Sequence, residues 1–364
     1  MDIQSFLQAK TEMMQANNYA GPVVLSTRVR LARNLSTYPF PKKANLQQKK
    51  EILKACESAL AKAPSLKKDK GSYLHLDTLD DLHKQILVER HLISPEIAAE
   101  STGSGVFINK AQSIAVMMNE EDHLRIQVLR VGFQFKKAWE TVDALDTELE
   151  SCLPYAFSSN LGYLTSCPTN LGTAMRASIM MHLPGLMLSE QMDKIIRALT
   201  QLGLTVRGLF GEGSEAKGSI FQISNQQTLG ESEKTVIDRL STVLHTIIDQ
   251  EQNARQKLFI NDKIKIFDRI GRAFGVLKNA YSITSVEAMN VLSLMRLAID
   301  LGLIKETYRP LVDRLFIEIQ PGHIQAASKD TMSSDARDSL RAQHLRQSFE
   351  AIPSISFERL AQSS

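Results

Sequence analysis

The spacing of apolar residues changes once along this chain of 364 residues, near Ser232. Before that point, segments with helical spacing alternate with segments in which every second residue is apolar, the period of a strand. After it, only helical spacing remains. This pattern predicts an α+β fold, an antiparallel sheet flanked by helices, followed by an all-α domain, because regular strand–helix–strand alternation is missing. We expect the first domain at residues 1–254 and the helical domain at 255–364.

The individual elements follow from the same periodicity. Short connections between three successive strands in the middle of the first domain favour antiparallel neighbours. In the first domain we predict helices over 46–63, 79–91 and 133–153 and strands over 105–109, 113–118, 124–130, 173–182, 204–208 and 219–224. The remaining helices are predicted over 233–260, 264–280, 285–300, 307–319 and 334–348.

Composition excludes several classes of protein. With 43 Lys+Arg against 40 Asp+Glu the net charge is +3, too small to indicate a nucleic-acid or membrane partner, and no recognition-helix motif is present. The most apolar stretch, 174–188, is broken by polar residues and is shorter than the ~20 apolar residues of a membrane span. The chain start lacks the pattern of a signal peptide. Three cysteines without a paired framework indicate the cytoplasm, and we expect core positions for Cys56 and Cys152.

Arginines recur on one side of the predicted strands. In an extended backbone Arg28 and Arg30 share one face, opposite Val29 and Leu31, and Arg125, Arg176 and Arg207 alternate with apolar neighbours in the same way. A single arginine of this kind is usually solvated or paired. Several on one face repel each other unless an anion neutralises them, and the planar guanidinium suits phosphate oxygens. The pattern indicates a polyphosphate such as a nucleotide, but without a P-loop or a GxGxxG fingerprint.

A dense acidic turn, N119-E-E-D-H-L-R-I126, lies between two apolar strands. Taken alone it indicates a polar connection. Together with S26-T-R-V-R30, C167-P-T-N-L-G-T-A-M-R-A-S178 and R207-G-L-F-G-E212, it resembles the ATP:guanidino phosphotransferases, the family of creatine and arginine kinases. The resemblance implies the fold of that catalytic core and transfer of phosphate from ATP to a guanidino nitrogen.

Matching the motifs residue by residue assigns the site. Glu121 and Glu212 match the two carboxylates that orient the guanidinium and accept its proton, and Cys167 matches the reactive cysteine, expected to work as a thiolate. His91, in E89-R-H-L-I-S-P95, resembles a nucleotide-contacting histidine. We expect Mg²⁺ to be held mainly by ATP and water, without a protein metal site. The expected ATP-binding residues are Ser26, Thr27, Arg28, Val29, Arg30, His91, Arg125, Arg176, Ala177, Ser178, Ile179, Met180, Arg207, Gly208, Leu209, Phe210, Gly211 and Glu212.

Two departures bear on the acceptor. Only 25 residues precede S26-T-R-V-R30, where creatine and arginine kinases carry a helical domain of roughly a hundred residues, and a helical domain follows the core instead. This arrangement resembles the bacterial protein-arginine kinases of the McsB type, which implies an open acceptor side and arginine on a protein as the acceptor. A small-guanidine kinase of the phosphagen type and a non-catalytic phosphoarginine-binding adaptor are the alternatives.

The helical domain carries R337-D-S-L-R-A342, which resembles the RDxxRA motif that binds phosphoarginine in that subfamily. On a helix Arg337, Asp338 and Arg341 share one face, so two arginines could clamp the phosphate while the aspartate takes the guanidinium. Without the resemblance, the segment is a charged helical surface with an internal salt bridge.

The resemblance also implies partners and a cellular role. We expect a homodimer, a role in protein quality control and stress response, and an association with the Clp protease machinery and an activator protein. An apolar stripe in the helical domain fits self-association or an intramolecular core equally well. Its residues are Leu292, Leu294, Leu297 and Leu301.

Overall fold

The strands form one large antiparallel sheet and one small hairpin. A computed structural model describes residues 9, 11–14, 21–67, 71–208, 216–328, 330–355 and 357. The strands of these residues are β1 (Val24–Arg33), β2 (Ser72–His75), β3 (Gly105–Ile108), β4 (Ile114–Met118), β5 (Leu124–Val131), β6 (Phe157–Ser158), β7 (Gly162–Tyr163), β8 (Met175–His182), β9 (Leu204–Gly208) and β10 (Ile220–Asn225). Eight of them form a sheet in the order β2-β3-β4-β5-β1-β8-β10-β9, and β6 pairs with β7. The predicted antiparallel sheet is therefore confirmed.

Helices cover the sheet and make up the C-terminal part of the chain. Several begin at a residue whose side chain accepts a hydrogen bond from the first turn, as Asn45, Ser232, Thr284 and Ser333 do. The helices of the described residues are α1 (Leu46–Lys62), α2 (Pro64–Lys67), α3 (Asp81–Glu89), α4 (Pro95–Ala99), α5 (Phe135–Glu150), α6 (Pro184–Leu188), α7 (Met192–Gln201), α8 (Glu233–Asn261), α9 (Lys263–Asn279), α10 (Ser285–Asp300), α11 (Arg309–Glu318), α12 (Pro321–Gln325) and α13 (Ser334–Phe349).

The two faces of the sheet meet different surroundings. On one face, apolar residues at alternate positions, among them Val29 and Leu31 of β1, pack against α1, α5, α7 and α8. On the other face, β3 and β4 pack against α3 and α4. Leu25, Met180 and Ile220 join the core of the C-terminal helices. Residues between these cores are left to line a cavity.

A buried polar cluster joins the sheet to the C-terminal helices. The guanidinium of Arg296 on α10 donates to the carbonyl oxygens of Gly21 and Pro22, at 2.8 and 2.6 Å, just before β1. It also pairs with Asp313 of α11 (Nε–Oδ1 2.7 Å) and approaches His182 Nδ1 at the end of β8 (3.3 Å). Burial and the neighbouring arginines lower the pKa of His182 well below its usual value, so this ring is neutral. The helical part is thus hydrogen-bonded to the segment before β1 and to the end of β8.

Most longer elements match the sequence analysis, while the short ones were not predicted. The predicted strand at 204–208 and the predicted helix at 285–300 coincide with β9 and α10. Strand β2 and helices α2, α4, α6 and α12 are too short for periodicity to reveal. Helix α7 carries helical spacing, Met192 and Leu199 being buried, and this signal was missed. Helix α8 runs without a break through residue 254, and the domain boundary there stays a prediction.

Three further expectations concern single residues and helices. Cys56 is buried as predicted, but the core position predicted for Cys152 is wrong, because α5 ends at Glu150 and Cys152 is exposed. Leu292 is buried in the core of the C-terminal helices, Leu294 and Leu301 pack against that core, and Leu297 is also buried, so an intramolecular core accounts for the apolar stripe. Among the described residues, no helix is long and apolar enough to cross a membrane.

Candidate active site

The arginines predicted on one side of the strands line a common cavity of about 820 Å³. We call Arg28, Arg30, Arg125, Arg176 and Arg207 the arginine face. Strands β5, β1 and β8 are neighbours, and their register places Arg30 directly opposite Arg176 on one side and Gln127 on the other. Gln222 of β10 lies opposite Arg207. The two-residue alternation of each strand therefore assembles the arginine face.

Two arginines of β1 are the most deeply placed members of the arginine face. Arg28 donates from Nη2 to Gln222 Oε1 (2.5 Å) and from Nε to Ser178 Oγ (3.4 Å). Burial, with Arg125 and Arg176 nearby, lowers the pKa of Arg28 to about 9. Burial and the same neighbours, with Arg28, lower the pKa of Arg30 well below its usual value. Among the described residues, Arg30 Nε has no hydrogen-bond partner. Such a cluster favours an anion that supplies the missing acceptors.

Carboxylates lie beside the arginine face. Glu120 pairs with Arg125 and accepts a hydrogen bond from Ser94 Oγ (2.5 Å). Burial acts to raise its pKa, but Arg125, Ser94 and Arg30 outweigh burial, so the pKa of Glu120 lies below its usual value. Glu120 is therefore an ionised partner of the arginine face.

The acidic turn is held by its other polar residues. Asn119, with a left-handed backbone (φ 59°), donates from Nδ2 to the carbonyl oxygens of Lys49 (2.8 Å) and Gly103 (2.9 Å). Asp122 accepts from Asn34 Nδ2 (2.6 Å) and from the Ser166 amide (2.7 Å).

A third residue of the turn is anchored by its ring. His123 accepts at Nδ1 from the Leu35 amide (2.9 Å), and its Nε2 lies 3.0 Å from the Pro39 carbonyl oxygen. Asn119, Asp122 and His123 are all buried, so the turn is more than a solvated connection. Glu120 and Glu121 line the cavity together with Asn119.

Glu121 differs from its neighbour Glu120. Partial burial, together with the charges of Asp122 and Glu120, raises the pKa of Glu121 above its usual value. The carbonyl oxygen of Glu121 accepts a hydrogen bond from Ser166 Oγ (2.7 Å), which brings the next residue, Cys167, beside the turn. Cys167 Sγ lies 3.0 Å from Thr169 Oγ1. A carboxylate with raised basicity and a thiol thus lie close to the end of the arginine face.

His91 lines the cavity where α3 ends. Its backbone is left-handed (φ 59°), and its carbonyl oxygen accepts a hydrogen bond from Gln127 Nε2 (2.7 Å). Burial, with the charge of Arg28, lowers the pKa of His91 to about 3, so the ring is neutral. Val88, Ile93 and Ile97 give the cavity an apolar side next to this ring.

Comparison with known proteins identifies the family. The profile of the ATP:guanido phosphotransferase C-terminal catalytic domain matches residues 51–254. The profile of the protein-arginine kinase McsB C-terminal domain matches residues 263–360. The chain belongs to the ATP:guanido phosphotransferase family. It is an ATP-dependent guanidino phosphotransferase.

Relatives in this family cover nearly the whole chain. A protein-arginine kinase from Halothermothrix orenii is 44% identical over 324 residues, 89% of this chain and 92% of the relative. A protein-arginine kinase from Bacillus pumilus is 44% identical over 350 residues, 95% of this chain and 96% of the relative. A crystal structure of lombricine kinase has a TM-score of 0.56 at 24% identity, covering 69% of this chain and 72% of that one. The sheet and helices therefore have the guanidino kinase fold.

Other residues expected to bind ATP in this guanidino phosphotransferase have side chains in its cores. Thr27 Oγ1 donates to the Gly132 carbonyl oxygen (2.6 Å), and Ser178 supports Arg28. Ser26, Val29, Ala177, Ile179 and Met180 are buried. Gly208 lines the cavity. Leu209, Phe210, Gly211 and Glu212 lie outside the described residues. Their roles in nucleotide binding stay predictions.

The sequence analysis missed residues that complete the cavity. Gln127 and Gln222 lie on the same side of their strands as the arginine face, a signal that alternation offered. Ser94 follows α3 and gave no such signal. Lys42, Lys49, Glu96 and Glu100 also line the cavity, and none of them belongs to the motifs. These two lysines and two glutamates add both positive and negative charges to the lining of the cavity.

The residues of the R337-D-S-L-R-A342 motif make hydrogen bonds and an ion pair within the C-terminal helical part. Arg341 is buried and donates to the carbonyl oxygens of Ile319 (Nε, 2.8 Å) and Ile283 (Nη1, 2.9 Å). It also pairs with Asp338, which is the internal salt bridge of the alternative interpretation. Arg337 donates to the Met332 carbonyl oxygen (2.9 Å). Phosphoarginine binding at Arg337, Asp338 and Arg341 stays a prediction.

Proposed function

We propose that this chain is a protein-arginine kinase, which transfers the γ-phosphate of ATP to arginine side chains of proteins in the cytoplasm. The observation that carries the proposal is the arginine face beside Glu121 in one cavity. The relatives named protein-arginine kinase, matched along the C-terminal helices as well as the core, support a protein as the acceptor.

The nucleotide occupies the arginine face in this proposal. Arg28, Arg30, Arg125, Arg176 and Arg207 bind the triphosphate, and its oxygens supply the acceptor that buried Arg30 Nε lacks among the described residues. The neutral ring of His91 and its apolar neighbours contact the rest of the nucleotide. Since much of phosphoryl-transfer catalysis is positioning and charge stabilisation, this cluster supplies the larger part of the rate enhancement.

Glu121 acts on the acceptor. A guanidinium is a poor nucleophile because its nitrogen lone pairs are delocalised and it carries a positive charge. As the acceptor nitrogen forms its bond to the γ-phosphorus, the bond from that phosphorus to the bridging oxygen of ADP breaks, and Glu121 takes the proton lost from the nitrogen. The raised pKa of Glu121 makes its ionised form a better proton acceptor than an ordinary glutamate.

Two further residues are assigned to the acceptor side. Cys167, joined to Glu121 through Ser166, approaches the guanidinium as a thiolate. Glu212, which lies outside the described residues, is the second carboxylate. Two carboxylates fix a planar guanidinium better than one, because each accepts hydrogen bonds from a different edge of the fork.

Magnesium would enter with the nucleotide. The described residues contain no group of three or more His, Cys, Asp or Glu that could hold a metal ion. Glu120 and Glu121 line the cavity, however, and fit an ion that takes most of its ligands from phosphate and water. Such an ion would offset charge on the β- and γ-phosphates.

The C-terminal helices carry the regulatory part of the proposal. Arg337, Asp338 and Arg341 bind phosphoarginine, the product of the reaction, and the chain works as a homodimer. An activator protein and the Clp protease machinery are its proposed partners in quality control and stress response. The matched C-terminal profile supports this assignment.

Phosphosite mapping tests the function directly. Wild type and Glu121→Gln are incubated in parallel with Mg·ATP and either an unfolded arginine-rich protein or free arginine, and phosphoarginine is detected by mass spectrometry under conditions that preserve the N–P bond. We expect wild type to phosphorylate the protein and Glu121→Gln to lose about 10²–10⁴-fold in kcat. Glu140→Gln, an exposed change on α5 across the sheet, is the control.

Other outcomes would replace the proposal. Rapid turnover of free arginine with proteins untouched would show a small-guanidine kinase. A Glu121→Gln variant that keeps cellular function, while Arg337→Ala and Asp338→Ala abolish it, would show a phosphoarginine-binding adaptor. Folding of each variant is checked by circular dichroism before it is assayed.

A further inference from the structure

Three exposed apolar side chains belong to segments that meet at the end of the loop that carries Cys167. Phe157 on β6 is 60% exposed, Leu161 in the β6–β7 turn is 43% exposed, and Leu229 after β10 is 54% exposed. We call these three residues the apolar ledge. Burying such side chains away from water is favourable, so a group of them on one surface indicates a binding site for an apolar ligand.

The segments that bear the apolar ledge meet at one backbone junction. The Tyr163 amide donates to the Gly172 carbonyl oxygen (2.9 Å). A Cβ on Gly162 would lie 2.3 Å from that same oxygen, and a Cβ on Gly172 would lie 2.8 Å from the Cα of Leu229. Only glycine permits both approaches. The three ledge residues therefore extend from neighbouring points of the same surface.

Hydrogen bonds connect this junction to the acceptor side of the site. Thr228, next to Leu229, donates from Oγ1 to the carbonyl oxygens of Leu171 (2.6 Å) and Thr169 (3.1 Å). Thr169 Oγ1 lies 3.0 Å from Cys167 Sγ. Ser166 in turn donates to the Glu121 carbonyl oxygen. The apolar ledge is thus continuous with the loop beside the proposed catalytic carboxylate.

The apolar ledge also has a firm support. The Tyr163 ring lies edge-on to Phe157 (centroids 5.2 Å apart) and face-on to the guanidinium of Arg33 (3.5 Å). Arg33 is buried and paired with Asp146 (Nη2–Oδ2 2.6 Å). Because Tyr163 is held in this way before anything binds, the Phe157 ring beside it would lose little side-chain entropy when a ligand covers it.

We infer that the apolar ledge binds the stretch of acceptor polypeptide next to the arginine being phosphorylated. This inference rests on the proposed function. The occupant is an unfolded segment with large apolar side chains a few residues from its arginine, since an extended chain advances about 3.3 Å per residue. Folded proteins bury most such side chains, whereas unfolded ones expose them beside their arginines. The ledge therefore selects unfolded polypeptides, while a short polar peptide gains nothing from it.

Steady-state kinetics with two acceptors tests the inference. Phe157→Ser, Leu161→Ser and Leu229→Ser are made singly and together, and assayed with a reduced, carboxymethylated protein and with the peptide Gly-Gly-Arg-Gly-Gly. For the triple variant we expect KM for the unfolded protein to rise about ten-fold, the usual scale for losing a small apolar contact. The value of kcat and both constants for the peptide stay unchanged. Ile264→Ser, at an 84% exposed position on α9, is the matched control and leaves all constants unchanged.

Three results would overturn the inference. The first is that wild type phosphorylates the unfolded protein and the triple variant does so with an unchanged KM. The second is an equal loss with protein and peptide, which would make the ledge a structural support of the cavity. The third is a triple variant that sediments as a smaller species than wild type, which would make the ledge a self-association surface. If wild type phosphorylates no protein at all, the proposed function fails first.

Discussion

Glu120 and Glu121 are adjacent carboxylates with opposite environments. Arg125 and a hydrogen bond from Ser94 outweigh burial and lower the pKa of Glu120, whereas partial burial and the charges of Asp122 and Glu120 raise the pKa of Glu121. Groups whose pKa values are pushed apart in this way commonly divide the work of a site. In the proposed mechanism this division gives Glu120 to the arginine face and Glu121 to the acceptor.

The pH dependence of the reaction should report Glu121. This residue accepts a proton only when ionised, so kcat/KM for the acceptor at saturating ATP falls as the pH falls through its pKa. Because burial, Asp122 and Glu120 raise that pKa, the acid limb should lie above pH 4.5, the ordinary value for glutamate. A pH–rate profile measures it, with circular dichroism confirming that the protein stays folded.

A second variant identifies the group behind this limb. The pKa of His91 is about 3, so its ring is neutral across the assay range, and His91→Gln should leave the limb where it is. A limb at or below pH 4.5, or one that moves in His91→Gln, would contradict the assignment to Glu121.

At the scale of elements, α12 and α3 form a contact that bears on the nucleotide. The carboxylate of Glu89 accepts from the amides of Gly322 (2.7 Å) and His323 (3.2 Å), and from His323 Nδ1 (2.8 Å). Arg90 Nε lies 3.1 Å from His323 Nε2. A ring protonated on Nδ1 alone satisfies both contacts. His91 directly follows Arg90. Because Glu89 and Arg90 are bound by α12, the C-terminal helices hold the end of α3 beside which His91 lines the cavity.

Loosening this contact should weaken ATP binding. In Glu89→Gln the charge-assisted hydrogen bonds from Gly322 and His323 become weaker, so His91 is held less firmly. We expect KM for ATP to rise about 3- to 10-fold, the equivalent of ~1 kcal/mol, with KM for the acceptor unchanged. His75→Gln breaks a surface histidine–glutamate pair that does not involve α3 or α12, and it should change neither constant. Equal changes in Glu89→Gln and His75→Gln would argue against the link.

Elements differ in how well sequence foretells them. Helix α10 could be placed to the residue because Thr284 caps it and its apolar spacing is regular. Strand β2 and helix α12 have only four and five residues, too few for any period, and they form because the rest of the fold packs against them. The same holds within the site. The alternation of arginine with apolar residues in the strands predicted the arginine face. The Glu89–His323 contact joins residues 234 positions apart in the sequence, and no local pattern predicts it.

The whole molecule depends on the buried cluster around Arg296. Arg296→Ala removes hydrogen bonds to Gly21 and Pro22 and leaves Asp313 without its partner, so we expect the free energy of unfolding to fall by about 3–5 kcal/mol. Calorimetry should then show the sheet and the C-terminal helices unfolding in separate transitions. Arg272→Ala breaks an exposed ion pair on α9 and should leave one transition at nearly the wild-type temperature. A single, unshifted transition in Arg296→Ala would contradict this role.

The position of Arg341 has a consequence for any anion that binds there. Its guanidinium donates to the carbonyl oxygens of Ile283 and Ile319, and Ile319 lies in the turn between α11 and α12. A phosphate that takes a hydrogen bond from Nε or Nη1 of Arg341 would release one or both of these oxygens. Binding there would first change the backbone ahead of Gly322 and then, through Glu89, the position of His91. Accumulated phosphoarginine would therefore alter the binding of ATP rather than the binding of the acceptor.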